Sequence, residues 1–239
     1  MLILGLDIET TGLDVNKDKV IEVGAVLWDT VRNMPMRIFS ELLWYPNVWE
    51  GSTSTPEKIE KVNTIAANDL IDHGVHPTIV YPHLIELMLK ATAIVAHNGN
   101  KFDKPLLYND MLRWNVTPPQ VHWIDSLYDV PYDSKFESKK LTYLAAEHGF
   151  LNPFAHRAIF DVLTMLKTIQ SYDIDWIFKL SKEPNVTLVA QIDFNSNDKV
   201  KARGFRFRKE DKKWIKLVKE NQVQAEKNAA DFSFTLETT

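Results

Sequence analysis

The sequence predicts an α/β protein, a mixed β-sheet flanked by helices, followed by a small basic β-rich module. Three observations carry that reading. Apolar runs rich in β-formers come first, at Leu2–Ile8, Val20–Trp28 and Met36–Leu43. Short apolar runs then alternate with segments of helical spacing as far as about Tyr172, and beyond Glu183 the texture turns basic, aromatic and rich in turn residues. A chain of 239 residues that is 45% hydrophobic and 25% charged can bury one sizeable core with a small appendage.

The first three runs read as a meander of successive strands. Trp44 to Thr55 is a loop heavy in aromatic and small polar residues, and its Trp44, Tyr45 and Trp49 have two readings, stacking on DNA or packing on their own domain. Pro56 opens the short helix P-E-K-I-E-K-V, where its missing N–H costs nothing. Ile79, Leu84, Leu87 and Met88 set a helical spacing over Thr78–Lys90, and Ala93–Ala96 is a short buried strand. A helix from about Lys104 to Trp114 and a strand ending near Asp125 follow. Two more helices run from about Ser138 to His148, stopped by Gly149, and from about Ala155 to Tyr172, with Pro153 just ahead.

The expected divisions are a main domain over 1–182, a basic module over 183–220 and a flexible tail over 221–239, with a linker near 180–185. Pro184-Asn185 and Asn195-Ser196-Asn197-Asp198 read as turns bracketing the strand V-T-L-V-A-Q-I. A short helix over Asp198–Ala202 and a hairpin, G-F-R-F-R and K-W-I-K-L-V joined across K-E-D-K, complete the module. Gln222 to Thr239 is polar with scattered apolar residues, which gives no regular element.

Several function classes are excluded. No apolar run approaches the roughly 20 residues of a membrane span, and Met1–Leu6 lacks the basic flank and cleavage site of a signal sequence. The chain has no cysteine, so disulfides and thiolate metal sites are out, any metal is held by oxygen or imidazole, and a reducing cytoplasm is the expected location. The net charge of −4 conceals a split: Lys199–Lys219 holds ten Lys or Arg against two acids, a local +8 that leaves −12 on the rest.

Asp7 and Glu9 lie two apart at the end of the first strand and therefore share a face. Two like charges held so close ask for a cation between them. The run His97-Asn98-Gly99-Asn100-Lys101-Phe102-Asp103 directly follows A-I-V-A and puts Asp103 at a helix opening, beside a strand end where α/β sheets gather ligands. His156 and Asp161 are read onto one helix, where five residues are about 500° of rotation and an offset of about 140°. Asp161 then faces the metals while His156 reaches over from the helix start. Hard oxygen ligands select Mg²⁺ or Mn²⁺, and two such ions about 3.5–4 Å apart suit phosphodiester hydrolysis. Histidine, with an ordinary pKa near 6.5, supplies the base that takes a proton from water. His97, after a buried strand, reads as structural, and His73, His76, His83, His122 and His148 as surface or packing residues.

The order D-x-E-T-T-G-L, H-N-x-x-x-F-D, H-R-A-x-x-D resembles the DEDDh family of 3′→5′ exonucleases, the DnaQ-like group that includes polymerase proofreading subunits, exonuclease X, ribonuclease T and oligoribonuclease. The resemblance runs over about residues 1–172. It implies a ribonuclease-H-like fold and two Mg²⁺, for which Mn²⁺ can substitute. Asp7, Glu9 and Asp161 would hold the catalytic ion, Asp7 and Asp103 the second, and His156 would activate water. It further implies that Thr10 and Leu13 contact the 3′-terminal nucleotide, with Leu13 wedged near the last base, and that Asn98 and Phe102 line the pocket. Asn100-Lys101 departs from the small apolar residues common before that Phe. Asp125-Ser126-Leu127 matches a recurring family stretch, and the resemblance carries over no catalytic role to Asp125.

The tail pattern A-R-G-F-R-F-x-x-x-x-K-x-W-I-K resembles the C-terminal module of some exonuclease-X-like proteins. Arg203, Arg206, Arg208, Lys213 and Lys216, interleaved with Phe205, Phe207 and Trp214, could track phosphates while an aromatic face stacks on bases. The other readings are a docking site for replication or repair proteins and a hairpin that needs those aromatics for its own small core. Taken together, the expected protein is a monomeric or homodimeric 3′→5′ exonuclease of a bacterial cell or phage-infected host. Its expected substrate is single-stranded DNA, cut to nucleoside 5′-monophosphates, and no membrane is involved. The alternatives are an exoribonuclease trimming RNA ends and a non-catalytic polymerase-associated subunit.

Overall fold

In the computed structural model, which describes residues 1–133, 135–192 and 197–238, the apolar opening run forms strand β1 (Leu2–Thr10). It pairs antiparallel with β2 (Val20–Asp29), and β2 pairs antiparallel with β3 (Met34–Leu42). The loop Trp44–Thr55 leads into α1 (Pro56–Asn63), α2 (Ala67–His73) and α3 (Pro77–Lys90). Next come β4 (Ala93–Ala96), α4 (Asp103–Arg113) and β5 (Trp123–Asp125), then α5 (Leu141–Glu147), α6 (Ala158–Ile169) and α7 (Ile174–Ser181). The sheet order is β3-β2-β1-β4-β5, with β4 parallel to both β1 and β5. This is the mixed sheet flanked by helices that the sequence predicts, the ribonuclease-H-like arrangement. The short helices α2 and α7 are additions to the sequence reading.

The alternation of β1 assigns its two faces. Leu4, Leu6 and Ile8 pack with Val80, Leu84 and Met88 of α3 and Leu106, Leu107 and Met111 of α4. Ile3 lies on the other face with Val26, Val95, Ile124 and the α6 residues Val162, Met165, Leu166 and Ile169. Covered on both sides, β2 is buried along nearly its whole length. A smaller cluster of Ile21, Val48, Ile65 and Leu70 takes in Trp44, Tyr45, Trp49 and Ile59, so the aromatic loop packs against its own unit. Tyr45 and Trp114 meet edge to face at 4.7 Å.

The chain divides into two units, Met1–Phe178 and Lys179–Thr239, each taken by itself. The second contains β6 (Asn185–Gln191), α8 (Asn197–Ala202), β7 (Arg206–Arg208), β8 (Lys213–Lys219), a 3₁₀ turn at Glu220–Gln222, α9 (Val223–Ala229) and β9 (Ser233–Thr238). Its sheet runs β7-β8-β6-β9, antiparallel throughout. Of the expected turn before α8, Asn195-Ser196 lie outside the described residues. In place of a flexible tail over 221–239, the structure has α9 and β9. The physical reason is pairing: Val186–Gln191 of β6 offers a free edge, and β9 hydrogen-bonds along it while Phe232 and Phe234 close over Val186, Leu188, Phe205 and Val218. Among the described residues, no helix is long and apolar enough to cross a membrane.

Candidate active site

Asp7 and Glu9 have the parity of Ile3 and Gly5, so both face α6. Two glycines let that helix lie close to the sheet. A Cβ on Gly5 would stand 2.8 Å from Val162 and Leu166 side-chain atoms, and one on Gly24 would stand 2.4 Å from backbone atoms of Ala158 and Ile159. Gly24 is the register partner of Asp7. The first turn of α6 therefore rests beside Asp7, and Asp161 in that turn comes to the two acids of β1. Asp103 arrives from the other side, at the first residue of α4, and its Oδ1 accepts the N–H of Ile8, between the two acids, at 3.3 Å.

His156 does not share the helix of Asp161, because α6 begins at Ala158. It sits in the preceding turn with a left-handed φ of 65° and donates its N–H to Asp161 Oδ2 at 2.9 Å. A pinned turn, rather than a shared helix, thus brings the same two side chains together. Donor atoms of Glu9, His156 and Asp161 lie within 4.8 Å of one another. Asp7 and Asp103 line the same cavity of about 570 Å³, together with Thr10, Leu13, Lys58, Asn63, His97 and Phe102.

The electrostatics explain what this cavity asks for. Burial, reinforced by the charges of Asp103, Glu9, Asp161 and Glu22, pushes the Asp7 carboxyl well above the ordinary range. Burial pushes Glu9 up to about 8 against a hydrogen bond from Asn63 Nδ2 at 3.2 Å, and raises Asp103 to about 7. Asp161 is raised by burial too, although the His156 N–H and Asn152 Nδ2, the latter at 2.6 Å, favour its charged form. Four carboxyls whose charged forms are all disfavoured by burial for want of a counter-charge, with oxygen and imidazole donors only, fit divalent metal ions.

Glu22 and Asp125 were given no positioning role by the sequence, whereas His97 was read as structural. Glu22 is buried and takes Arg157 on both of its oxygens (Nε 3.1 Å and Nη2 2.9 Å to Oε1, Nε 3.4 Å to Oε2) while Oε2 accepts the N–H of Ala158 at 2.9 Å, fixing the start of α6. A lone acid inside the apolar run V-I-E-V was the available signal. Asp125 is buried and accepts the N–H groups of Asn98 (3.0 Å), Asn100 (3.2 Å) and Leu127 (3.0 Å), bracing the turn that delivers Asp103. His97 bridges Ser126 Oγ and the Lys139 carbonyl, each at 2.9 Å, a structural role as well as a place on the cavity wall.

The expected substrate residues divide. Leu13 projects with 81% of its surface exposed, and Phe102 lines the cavity. Thr10 lines it too but is buried, its hydroxyl donating to the Gly12 carbonyl at 2.5 Å. Asn98 does not line it: its φ of 65° and the hold of Asp125 on its N–H turn the chain away at that point. In the second unit Arg203 pairs with Glu226 (2.7 Å), and Arg208 with Asp211 (2.6 Å) and Glu237 (2.9 Å). Trp214 Nε1 donates to Asn197 Oδ1 at 2.8 Å, and Arg206 is exposed on β7. Phe205 is buried in the unit's own core.

The RNase_T family model, described as exonuclease, matches residues 4–169. The DNA polymerase III subunit epsilon of Treponema pallidum is 31% identical over 157 residues, 64% of this chain and 67% of that protein. The PolC-type DNA polymerase III of Ureaplasma parvum is 25% identical over 161 residues, 66% of this chain but 10% of the polymerase, so the chain spans only part of the relatives it matches. Among solved structures, the Escherichia coli exonuclease I–single-stranded DNA complex in its zinc-bound form has a TM-score of 0.64 at 13% identity, covering 100% of this chain and 64% of that one. The nuclease domain of 3′hExo, a DEDDh family member bound to rAMP, has a TM-score of 0.55 at 15% identity, covering 71% and 90%. The family match takes in all three motifs whose acids and histidine the fold gathers around one cavity, and this chain belongs to the exonuclease family, of the DEDDh type.

Proposed function

We propose that the protein is a metal-dependent 3′→5′ exonuclease that removes nucleotides from the 3′ end of single-stranded DNA. The observation that carries this reading is the meeting of Asp7, Glu9, Asp103, Asp161 and His156 at a single cavity. Asp7, Glu9 and Asp161 would hold one divalent ion, Asp7 and Asp103 a second, Mg²⁺ or Mn²⁺. When bound, these ions neutralise the carboxylates and supply positive charge to the phosphate as negative charge builds on its oxygens.

The chain's own groups divide the remaining work. His156, exposed at the cavity mouth, accepts the proton of the attacking water as that water's oxygen bonds to phosphorus. The bond from phosphorus to the 3′ oxygen of the preceding nucleotide breaks, its electron pair leaves with that oxygen, and solvent protonates it. The products are a nucleoside 5′-monophosphate and a strand one residue shorter. Asn63 orients Glu9 and Asn152 orients Asp161, which limits the freedom the two acids lose on binding. Leu13 supplies an apolar contact for the terminal base, and binding in the cavity restricts bulk water.

Retention of the acids and histidine argues against a non-catalytic subunit. The second unit is proposed to contact the strand through Arg206 and its neighbouring cations, with docking to replication or repair proteins as the competing role. The test is incubation of the protein with 5′-labelled single-stranded and double-stranded DNA and RNA in Mg²⁺ or EDTA, alongside Asp7→Ala and His156→Ala. Shortening from the 3′ end that EDTA and Asp7→Ala abolish, and that His156→Ala slows by about 10²–10⁴-fold, is the expected result. Equal activity in Asp7→Ala refutes the mechanism, and faster turnover of RNA replaces the DNA assignment with the exoribonuclease.

A further inference from the structure

The segment between α5 and α6 and the first turn of α6 together carry an aromatic pair that the chemistry above does not use. Phe154 and Phe160 lie with ring centroids 4.7 Å apart and planes inclined at 50°, and they are 55% and 37% exposed. Neither lines the cavity. Both are nonetheless tied to a site carboxylate. Phe160 immediately precedes Asp161, and Phe154 donates its N–H to Asn152 Oδ1 at 3.0 Å while the same amide donates Nδ2–H to Asp161 Oδ1. The other oxygen of Asp161 takes the N–H of His156. The two oxygens of one carboxylate thus pin both ends of the turn that shows Phe154 to solvent, beside Phe160 in the first turn of α6.

Phenylalanine has no polar atom that benefits from such exposure, so stacking or apolar burial is what this pair offers. The cavity is of the size that takes a small ligand. A polynucleotide held there by its 3′ end has to continue across the rim, and each of its bases carries a π-face whatever the sequence. The geometry points to Phe154 and Phe160 as a stacking platform for an unpaired base upstream of the terminal nucleotide, a second nucleotide subsite outside the catalytic cavity. This rests on the exonuclease reading and deepens it, since a platform for an unpaired base selects single-stranded ends.

The full chain is titrated by fluorescence anisotropy, in Ca²⁺, with a short 5′-fluorescein-labelled oligothymidylate, for the wild type, Phe154→Ala and Phe154→Tyr. Phe154→Ala weakens binding by roughly tenfold or more, the loss of one base–aromatic stack, and Phe154→Tyr retains most of the affinity. An abasic residue moved stepwise from the 3′ end erases the Phe154→Ala penalty at one position. The p-nitrophenyl ester of thymidine 5′-monophosphate has no upstream base, so in Phe154→Ala kcat/KM falls further on the oligonucleotide than on this ester. Unchanged binding, a penalty that persists at every abasic position, or equal losses on the two substrates overturns the platform, the last by showing that Phe154 acts only through the turn that holds Asp161. If the wild type hydrolyses neither substrate, the exonuclease reading fails, and the anisotropy series alone decides whether the platform exists.

Discussion

Asp125 shows how a side chain with no reacting partner can govern a site. Its two oxygens receive three N–H groups from two turns, and one of them belongs to Asn98, held in a left-handed conformation just ahead of Asp103. Replacing Asp125 by Asn sets an amide N–H₂ against backbone N–H on one side. The expected outcome is a stability loss of about 1–3 kcal/mol, together with a weaker rise of melting temperature on Mg²⁺ titration than in the wild type. An unchanged Mg²⁺ response would confine Asp125 to general stability. The acids and His156 were legible in the sequence because two carboxylates sharing a strand face ask for a cation and because the three ordered motifs resemble those of the DEDDh family. Asp125, Glu22, Asn63 and Asn152 were not, because their partners are backbone groups or side chains brought close only by folding.

At the scale of elements, the approach of α6 to the sheet sets the site. Gly24→Ala would force a methyl into the backbone of Ala158 and Ile159, 2.4 Å away, and lift the turn that carries Asp161 from beside Asp7. We expect a stability loss of about 1–3 kcal/mol with a disproportionate fall in nuclease rate, read by thermal unfolding alongside DNA turnover. The second unit gives a separate test. Removing Ser233–Thr239 leaves β6 as an edge and takes away the Glu237 partner of Arg208. The amides of β6 that face β9 then lose hydrogen-exchange protection, while those bonded to β8 and those of Leu2–Thr10 keep theirs. Long apolar strands such as β1 and β2 announced themselves in the sequence. The alternation Phe232, Phe234, Leu236 is the strand signal of β9, and its polar surroundings hid it until the partner edge was in view.

Over the whole molecule, charge is divided as sharply as structure. Lys179–Thr239 holds 13 Lys or Arg against 9 acids, a net +4, and Met1–Phe178 carries −8. Several cations of the basic stretch are matched within their own unit, Lys199 by Asp231 and Lys216 by Glu226 among them. The acidic site has a different consequence. Between the ordinary carboxyl range and the raised values of Asp103 at about 7 and Glu9 at about 8, the folded state keeps protons that the unfolded chain has lost. Stability in EDTA therefore falls as pH rises from about 5 to about 8. His97, lowered by burial, opposes this as one group against several. Mg²⁺ should cancel most of the fall, by replacing protons as the counter-charge, when melting temperature is followed across that range with and without the ion.

The sequence by itself determined the α/β class, the acids at the strand and helix openings, and the basic character of the last fifth of the chain. Those features follow from local periodicity and from chemistry that tolerates few residue types. Only the tertiary structure decided that the Trp44–Trp49 loop packs inward, that His156 stands outside the helix of Asp161, that the tail closes a second sheet, and that two phenylalanines flank the site in the open. Each of those depends on which distant surface meets a segment, and that is a property of the packed chain rather than of the segment.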